Sequence, residues 1–121
     1  MKNEAKILKT KLDKISIEFN LIGHGETELA IETQSRIFPP KEKDNKTALY
    51  HIEATIYSKS REGINISASA NIVFEFNEIP EDYNEVGKEL CLKKAQVQIF
   101  DKIGDIMETM GYKRFDINIP E

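Results

Sequence analysis

The sequence is poor in cysteine and contains no long apolar run. Among its 121 residues Cys91 is the single cysteine, so an internal disulfide is impossible and a cysteine-rich zinc site is not expected. Because no apolar run reaches about 18 residues, the sequence predicts no membrane-spanning helix. The N-terminus lacks the apolar segment of a secretory signal. One free thiol fits a reducing cytoplasm, which is the location we expect.

The chain also lacks the short motifs of common enzyme chemistry. It has no Walker sequence, no Gly-x-Ser-x-Gly elbow and no His-Glu-x-x-His. His24 lies between two glycines, with no metal-ligand spacing around it, and His51 falls on the polar side of a strand pattern. Cys91 has no base tied to it in sequence. We therefore predict no catalytic residue, no metal and no cofactor. The alternative is an enzyme that uses His24 or the loop carboxylates.

Charge is unevenly distributed along the chain. Residues 1–14 contain five lysines against Glu4 and Asp13, whereas the whole chain has a net charge of −4. The remainder is therefore acidic, which argues against sequence-independent binding of nucleic acid, because such binding needs clustered positive charge. We interpret the basic start as a solvated segment, with an anionic surface as the alternative partner.

Four segments before Asn77 show apolar residues at every second position, the pattern of half-buried strands. Their apolar sides contain Ile15, Ile17, Phe19 and Leu21; Leu29, Ile31 and Ile37; Ala48, Tyr50, Ile52, Ala54 and Ile56; and Ile64, Ile66, Ala68, Ala70, Ile72, Phe74 and Phe76. The connections are too short for parallel crossovers, so the sequence predicts an antiparallel sheet. Ala68 and Ala70 leave room for a bulky element against the middle of this sheet.

The hydrophobic period changes after Tyr83. Apolar residues then recur at steps of three and four, at Leu92, Ala95, Ile99, Ile103, Ile106 and Met110. This spacing predicts a helix over about 85–110, capped by Asp82 or by Asn84. Gly111 supplies the stop, because glycine accepts the left-handed conformation that follows a helix. The fold class is therefore α+β, a four-stranded antiparallel sheet followed by one long C-terminal helix.

One helix cannot cover four strands, and its apolar stripe is wider than one sheet contact requires. We therefore expect self-association, as a dimer or a tetramer, and assign Ile99, Ile103, Ile106 and Met110 to the oligomer interface. A second apolar group, consisting of Phe76, Ile79 and Tyr83, lies at the end of the last strand and in the connector. We expect these three side chains to be partly exposed and to bind client polypeptide.

Carboxylates alternate with apolar residues along the strands, at Glu26, Glu28, Glu32, Glu53 and Glu75. They indicate the solvated face of a sheet, or an acidic surface for a basic partner.

Three short segments resemble the SecB family of bacterial export chaperones. The strand Ile15-Ser16-Ile17-Glu18-Phe19 resembles the family's opening strand, and Phe74-Glu75-Phe76 resembles its last strand. The tail Ile117-Asn118-Ile119-Pro120 resembles the family's short apolar tail. The order of elements over about residues 8–120 is also similar. The resemblance implies a homotetramer, unfolded clients in apolar grooves, an acidic sheet surface for the export motor, and no use of ATP.

The sequence thus predicts a single SecB-like domain over 1–121. We divide it into a basic segment at 1–12, the sheet at 13–77, the helix at 85–111 and an extended tail at 112–121. The predicted function is that of an ATP-independent chaperone, or holdase, that binds unfolded or partner polypeptides. The alternative is an adaptor or assembly protein on the same fold with one dedicated protein partner.

Overall fold

The computed structural model describes residues 3–20, 29–42, 44–58 and 63–111. Four strands are followed by a helical segment in three parts. The strands are β1 (Ala5–Asn20), β2 (Leu29–Phe38), β3 (Thr47–Ser58) and β4 (Gly63–Phe76). The helical parts are α1 (Tyr83–Val86), a π-helical turn (Gly87–Cys91) and α2 (Leu92–Thr109).

The four strands form one sheet in the order β1-β4-β3-β2, and every neighbouring pair is antiparallel. β1 and β2 therefore lie at opposite edges, although they are consecutive in the chain. The predicted fold class, an antiparallel sheet followed by one C-terminal helix, is confirmed. The predicted core sides of β3 and β4 are also confirmed, from Ala48 to Ile56 and from Ile66 to Phe76, because these apolar side chains are buried.

β1 begins at Ala5, ten residues before Ile15, where the predicted alternation starts. The basic segment thus contributes a strand to the sheet, and its separation from the sheet at residue 12 is wrong. The pairing with β4 shifts at Leu8 and at Asp13, each of which is an extra residue in β1. Each bulge adds one residue, so the apolar positions after it are shifted by one along the sequence. The regular alternation of a strand is therefore interrupted and is easily missed in the sequence.

Reciprocal hydrogen bonds tie the start of β1 to the connector after β4. The Asn3 side chain donates to the Glu78 carbonyl at 3.2 Å and accepts from the Glu78 N–H at 3.1 Å. The Glu4 N–H donates to the Asn77 side-chain oxygen at 2.7 Å. These bonds fix the connector beside the β1 edge, where the helical segment begins.

Asp82 is the helix cap, since its carboxylate accepts from the N–H groups of Asn84 at 3.0 Å and Glu85 at 3.3 Å. The helix comes close to the sheet at Gly87, where an added Cβ would lie 3.4 Å from Cγ2 of Ile37. The predicted stop is also confirmed: α2 ends at Thr109, and Gly111 has φ of 93°.

The core lies between α2 and one face of the sheet. Ile99, Ile103 and Met107 are fully buried there, in one cluster with Ala54, Ala68 and Ala70 of the sheet. The assignment of Ile99 and Ile103 to an oligomer interface is therefore wrong, because both side chains are buried within their own chain and cannot contact another copy. Ile106 is half-buried and Met110 is exposed, so their assignment stays a prediction.

Several predicted features lie outside the described residues. They are the His24 loop with Gly23 and Gly25, the carboxylates Glu26 and Glu28, the connection at 60–62, and the tail 112–121 with its Ile117-Asn118-Ile119-Pro120 segment.

Replacement of Ile103 by alanine tests whether this residue belongs to the core. We expect Ile103→Ala to lower the free energy of unfolding by about 2–5 kcal/mol, because it removes buried methyl and methylene groups and leaves a cavity. Ile31→Ala is the matched control and should lower it by clearly less, since Ile31 is 43% exposed. Urea titration followed by circular dichroism measures both values. Unchanged unfolding of Ile103→Ala with a loss of oligomer mass would restore the interface assignment.

Candidate functional site

A groove runs between the edge strand β1 and the helical segment. It has a volume of about 700 Å³ and is lined by Glu4, Ala5, Lys6, Ile7, Glu89, Leu90, Lys93, Lys94, Val97 and Gln98. We call it the β1–helix groove. Its volume falls in the range of roughly 300–1,000 Å³ that is typical of ligand pockets.

Two hydrogen bonds hold the helix beside β1 and set the width of this groove. The Lys94 ammonium donates to the carbonyl of Ala5, and the Thr10 hydroxyl donates to the Gln98 side chain at 3.2 Å. On the other side of the helix, the Gln96 amide donates to the Thr33 hydroxyl of β2 at 3.3 Å. The helix is thus anchored at both edges of the sheet by polar contacts that flank the apolar core.

The floor of the groove is apolar and its rim is charged. Ile7 and Leu90 are half-buried and pack against the core, and Val97 is among the large apolar side chains that stay exposed. Lys6 and Lys93 stand on the rim, where Glu4 and Glu89 offset part of their charge. Such a surface binds apolar side chains by removing them from water, and its rim leaves polar backbone groups solvated.

The β1 edge beside this groove pairs with no other strand among the described residues, since β1 pairs with β4 alone. An unpaired edge offers N–H and C=O groups to an added strand. The bulges at Leu8 and Asp13 divide this edge into short regular stretches, which limits the length of any strand that can be added.

The predicted client-binding residues have different environments. Phe76 is 1% exposed and its ring meets the Tyr83 ring edge-on at 6.2 Å, so its expected exposure is wrong. Phe76 points to the core side of β4, which the helical segment covers. Tyr83 is half-buried and Ile79 is 44% exposed, so a binding role for these two stays a prediction.

Sequence reasoning missed the groove residues Ile7 and Val97. Ile7 lies in the part of β1 that we interpreted as a solvated segment. The signal was present, because Ala5 and Ile7 alternate with Glu4 and Lys6, but the bulge at Leu8 interrupts the pattern after two apolar positions.

Cys91 lies in the π-helical turn and is fully buried. Burial raises the pKa of its thiol to about 12, and the nearby Lys94 lowers it by a smaller amount. The thiol is therefore protonated at neutral pH, which makes it a poor nucleophile.

His51 lies on the sheet face away from the helix, as its strand position predicts. One ring nitrogen, Nδ1, is 2.8 Å from the Asn71 side-chain oxygen, and Nε2 is 3.3 Å from the Glu53 carboxylate. Both acceptors favour the doubly protonated ring, so they raise the pKa of His51. The hydrogen bond with Asn71 is the largest single cause, burial acts in the opposite direction, and Glu53 raises the pKa through both its hydrogen bond and its charge.

Within the described ranges, no three side chains of His, Cys, Asp or Glu come together as a metal site would need. No helix in that part of the chain is long and apolar enough to cross a membrane.

The antiparallel sheet in the order β1-β4-β3-β2 with its single C-terminal helix defines a SecB-like fold. Among solved structures, the chain is similar to the Mycobacterium tuberculosis Rv1957 SecB-like chaperone in complex with a ChAD peptide from the Rv1956 HigA1 antitoxin. The TM-score is 0.66 over 98% of this chain and 88% of that chain, with 8% sequence identity. No family model and no curated protein matches the sequence. The similarity therefore shows the fold, which is the fold that the resemblance implied.

The environment of His51 predicts a measurable titration. We expect an imidazole pKa above the ordinary value of 6.5 and a decrease of that pKa in both Asn71→Ala and Glu53→Gln, as followed by NMR of the ring protons. Because the folded-state pKa is raised, the stabilisation by His51 is complete below the unfolded-state pKa. It is lost as the pH rises through the folded-state value. A pKa at or below 6.5 would contradict this account of the cluster.

Proposed function

We propose that this chain is an ATP-independent, SecB-like binding module that holds unfolded or partner polypeptides in the β1–helix groove. The observation that carries this proposal is an apolar groove that opens beside an unpaired strand edge. The SecB-like fold supports it, because the similar Rv1957 protein is a chaperone in complex with a peptide.

The groove suits an extended apolar segment. Ile7, Leu90 and Val97 offer apolar surface along one line between strand and helix, and each buried methylene contributes about 0.8 kcal/mol of favourable transfer free energy. The backbone of the bound segment can pair with the β1 edge, while alternate side chains enter the groove. This mode recognises apolar character and extended conformation, which every unfolded chain can supply.

Release of the client then needs no chemical step. The interaction is an equilibrium between a solvated apolar segment and the same segment in the groove, so a client that folds buries the segment elsewhere and leaves. The rim carries mixed charges, with Lys6 and Lys93 against Glu4 and Glu89. The groove therefore has no strong preference for the net charge of its client.

A dedicated partner is the second candidate function. The Rv1957 structure contains a peptide from one particular antitoxin, which is the kind of partner that an adaptor would bind. In this case the groove would recognise one segment with high affinity and would ignore other unfolded chains.

An oligomer fits either function. Ile106 is half-buried and Met110 is exposed at the end of α2, so they remain the residues that we assign to contacts between copies, as a dimer or a tetramer. Ile79 and Tyr83 lie in and just after the connector that is tied to the start of β1, and we expect them to extend the client surface beyond the groove.

A charge placed in the groove tests this proposal. We expect Val97→Glu to abolish most of the suppression of aggregation of a chemically unfolded test protein, because a carboxylate in the groove must be desolvated when an apolar segment binds. Light scattering of the diluted client, with and without the variant, measures this effect.

Leu49→Glu is the matched control, because it introduces the same charge at an exposed apolar position on the opposite face of the sheet. It should suppress aggregation as well as the unmodified protein does. Equal activity of both variants would refute the groove as the client site. Suppression by neither variant nor the unmodified protein, together with tight binding of one defined peptide, would favour the adaptor.

A further inference from the structure

The sheet face opposite the helix carries a row of apolar side chains across three strands. Phe38 of β2 is paired with Leu49 of β3, which is paired with Val73 of β4. We call these three residues the apolar stripe. In β1 the row ends at Lys9, the partner of Val73, beside the bulge residue Leu8. At roughly 4.8 Å between strands, the row from β2 to β1 spans about 15 Å.

The stripe is open to solvent. Phe38 is 41% exposed, Leu49 is 39% exposed and Leu8 is 48% exposed. Phe38 and Leu49 are two of the large apolar side chains that the described residues expose, Val73 beside them is half-buried, and the exposed bulge residue Leu8 lies next to the end of the row. An exposed apolar row of this kind is a candidate docking surface.

Positive charge surrounds the stripe. Lys6, Lys9 and Lys11 project from β1 at one end, and Arg36 of β2 places its guanidinium 5.2 Å from the centre of the Phe38 ring. Glu75 is the one carboxylate among the paired outward-facing residues of these rows, and the bulge residue Asp13 brings a second carboxylate close enough to His51 to raise its pKa. Four cations thus face two carboxylates around the apolar stripe.

The other end of the same face has the opposite charge. Glu18, Glu32 and Glu53 lie there with Lys14 as the single cation in the outward-facing rows. Small side chains, including Ser16, Ser67, Ser69 and Thr55, form a shallow depression of about 570 Å³ within this acidic end. The face is therefore polarised along its strands, although the chain as a whole is acidic.

We propose that the apolar stripe docks an acidic amphipathic segment of a partner protein, with Asp or Glu next to aromatic or branched aliphatic residues. The apolar side chains of the partner would cover Phe38, Leu49 and Val73, and its carboxylates would meet Lys9, Lys11 and Arg36. The acidic far end repels the same carboxylates, which fixes the partner at the basic end. This surface lies on the opposite face of the sheet from the β1–helix groove, and the two share only Lys6 of the edge strand between them.

Charge complementarity selects this occupant over a second copy of the chain. If two copies met stripe on stripe, a two-fold axis along the strands would place Lys11 over Arg36, and an axis across the strands would place Lys11 over Lys6. Either arrangement brings like charges together, which costs binding free energy. The resemblance to SecB implies an acidic docking surface on the sheet, whereas this end of the face is basic.

Selection from a library of short random peptides displayed on phage, against the full-length protein, tests the proposal. We expect the enriched peptides to combine acidic residues with Phe, Leu, Ile or Val. A synthetic peptide of the enriched sequence should bind Leu49→Glu at least about tenfold more weakly in calorimetry, because the stripe then carries a buried like charge. Arg36→Gln, which changes little packing, should weaken binding severalfold, and added salt should weaken it further.

Two variants serve as controls. Val97→Glu, in the groove, should bind the peptide as the unmodified protein does, and Glu53→Gln, at the acidic end, should bind it equally or more tightly. The proposal is overturned if no peptide is enriched, if the enriched peptides lack acidic residues, or if Leu49→Glu retains binding. It is also overturned if Leu49→Glu converts a dimer into a monomer, which would make the stripe a contact between copies. Loss of binding in Val97→Glu alone would assign the peptide to the groove instead.

Discussion

The helix α2 packs against the centre of the sheet, where the strands carry alanine instead of larger residues. Ala54, Ala68 and Ala70 of the sheet belong there to the same buried cluster as Ile99 and Ile103 of the helix. Each fully buried Ile contributes roughly 1.5–3 kcal/mol relative to an exposed one. This contact holds the helix over the central strands, and the connector after β4 must lead the chain onto that face of the sheet.

A single helix on a four-stranded sheet leaves surface uncovered at two places. On the helix side, the gap between the helix and the edge strand β1 becomes the β1–helix groove, with polar anchors from Lys94 and Gln98. Ile31 of β2, on the same side, stays exposed because the helix does not reach it. On the other side, no helix or strand among the described residues covers the sheet. The outward-facing residues of each strand set the chemical character of this face, because they do not pack between the helix and the sheet.

The fold was accessible from the sequence because two hydrophobic periods follow each other without overlap. The alternation in β3 and β4 predicts two strands, and the three-to-four spacing predicts α2. Asp82 and Gly111 mark the start and the end of the helical segment. β1 was partly missed, since the bulges at Leu8 and Asp13 break its period twice. The strand order could not be predicted either, because alternation indicates which side of a strand is buried but not which strand pairs with it.

The sites were less accessible than the fold. The sequence pattern of an apolar helix residue is the same whether its side chain faces its own sheet or another molecule. Ile99 and Ile103 were therefore assigned to an interface although they form the core. Phe76 was placed in the client groove for the same reason. The apolar stripe depends on register: Phe38, Leu49 and Val73 are far apart in sequence, and only the pairing of β2, β3 and β4 brings them into one row.

The central claim is that unfolded polypeptide binds between β1 and the helix. Hydrogen–deuterium exchange of the protein with an unfolded client, followed by mass spectrometry, tests it most directly. The account predicts slower exchange of backbone amides at residues 4–10 and 89–98, with little change along β3. Protection confined to other segments, or no protection at a client concentration that saturates the suppression of aggregation, would contradict it.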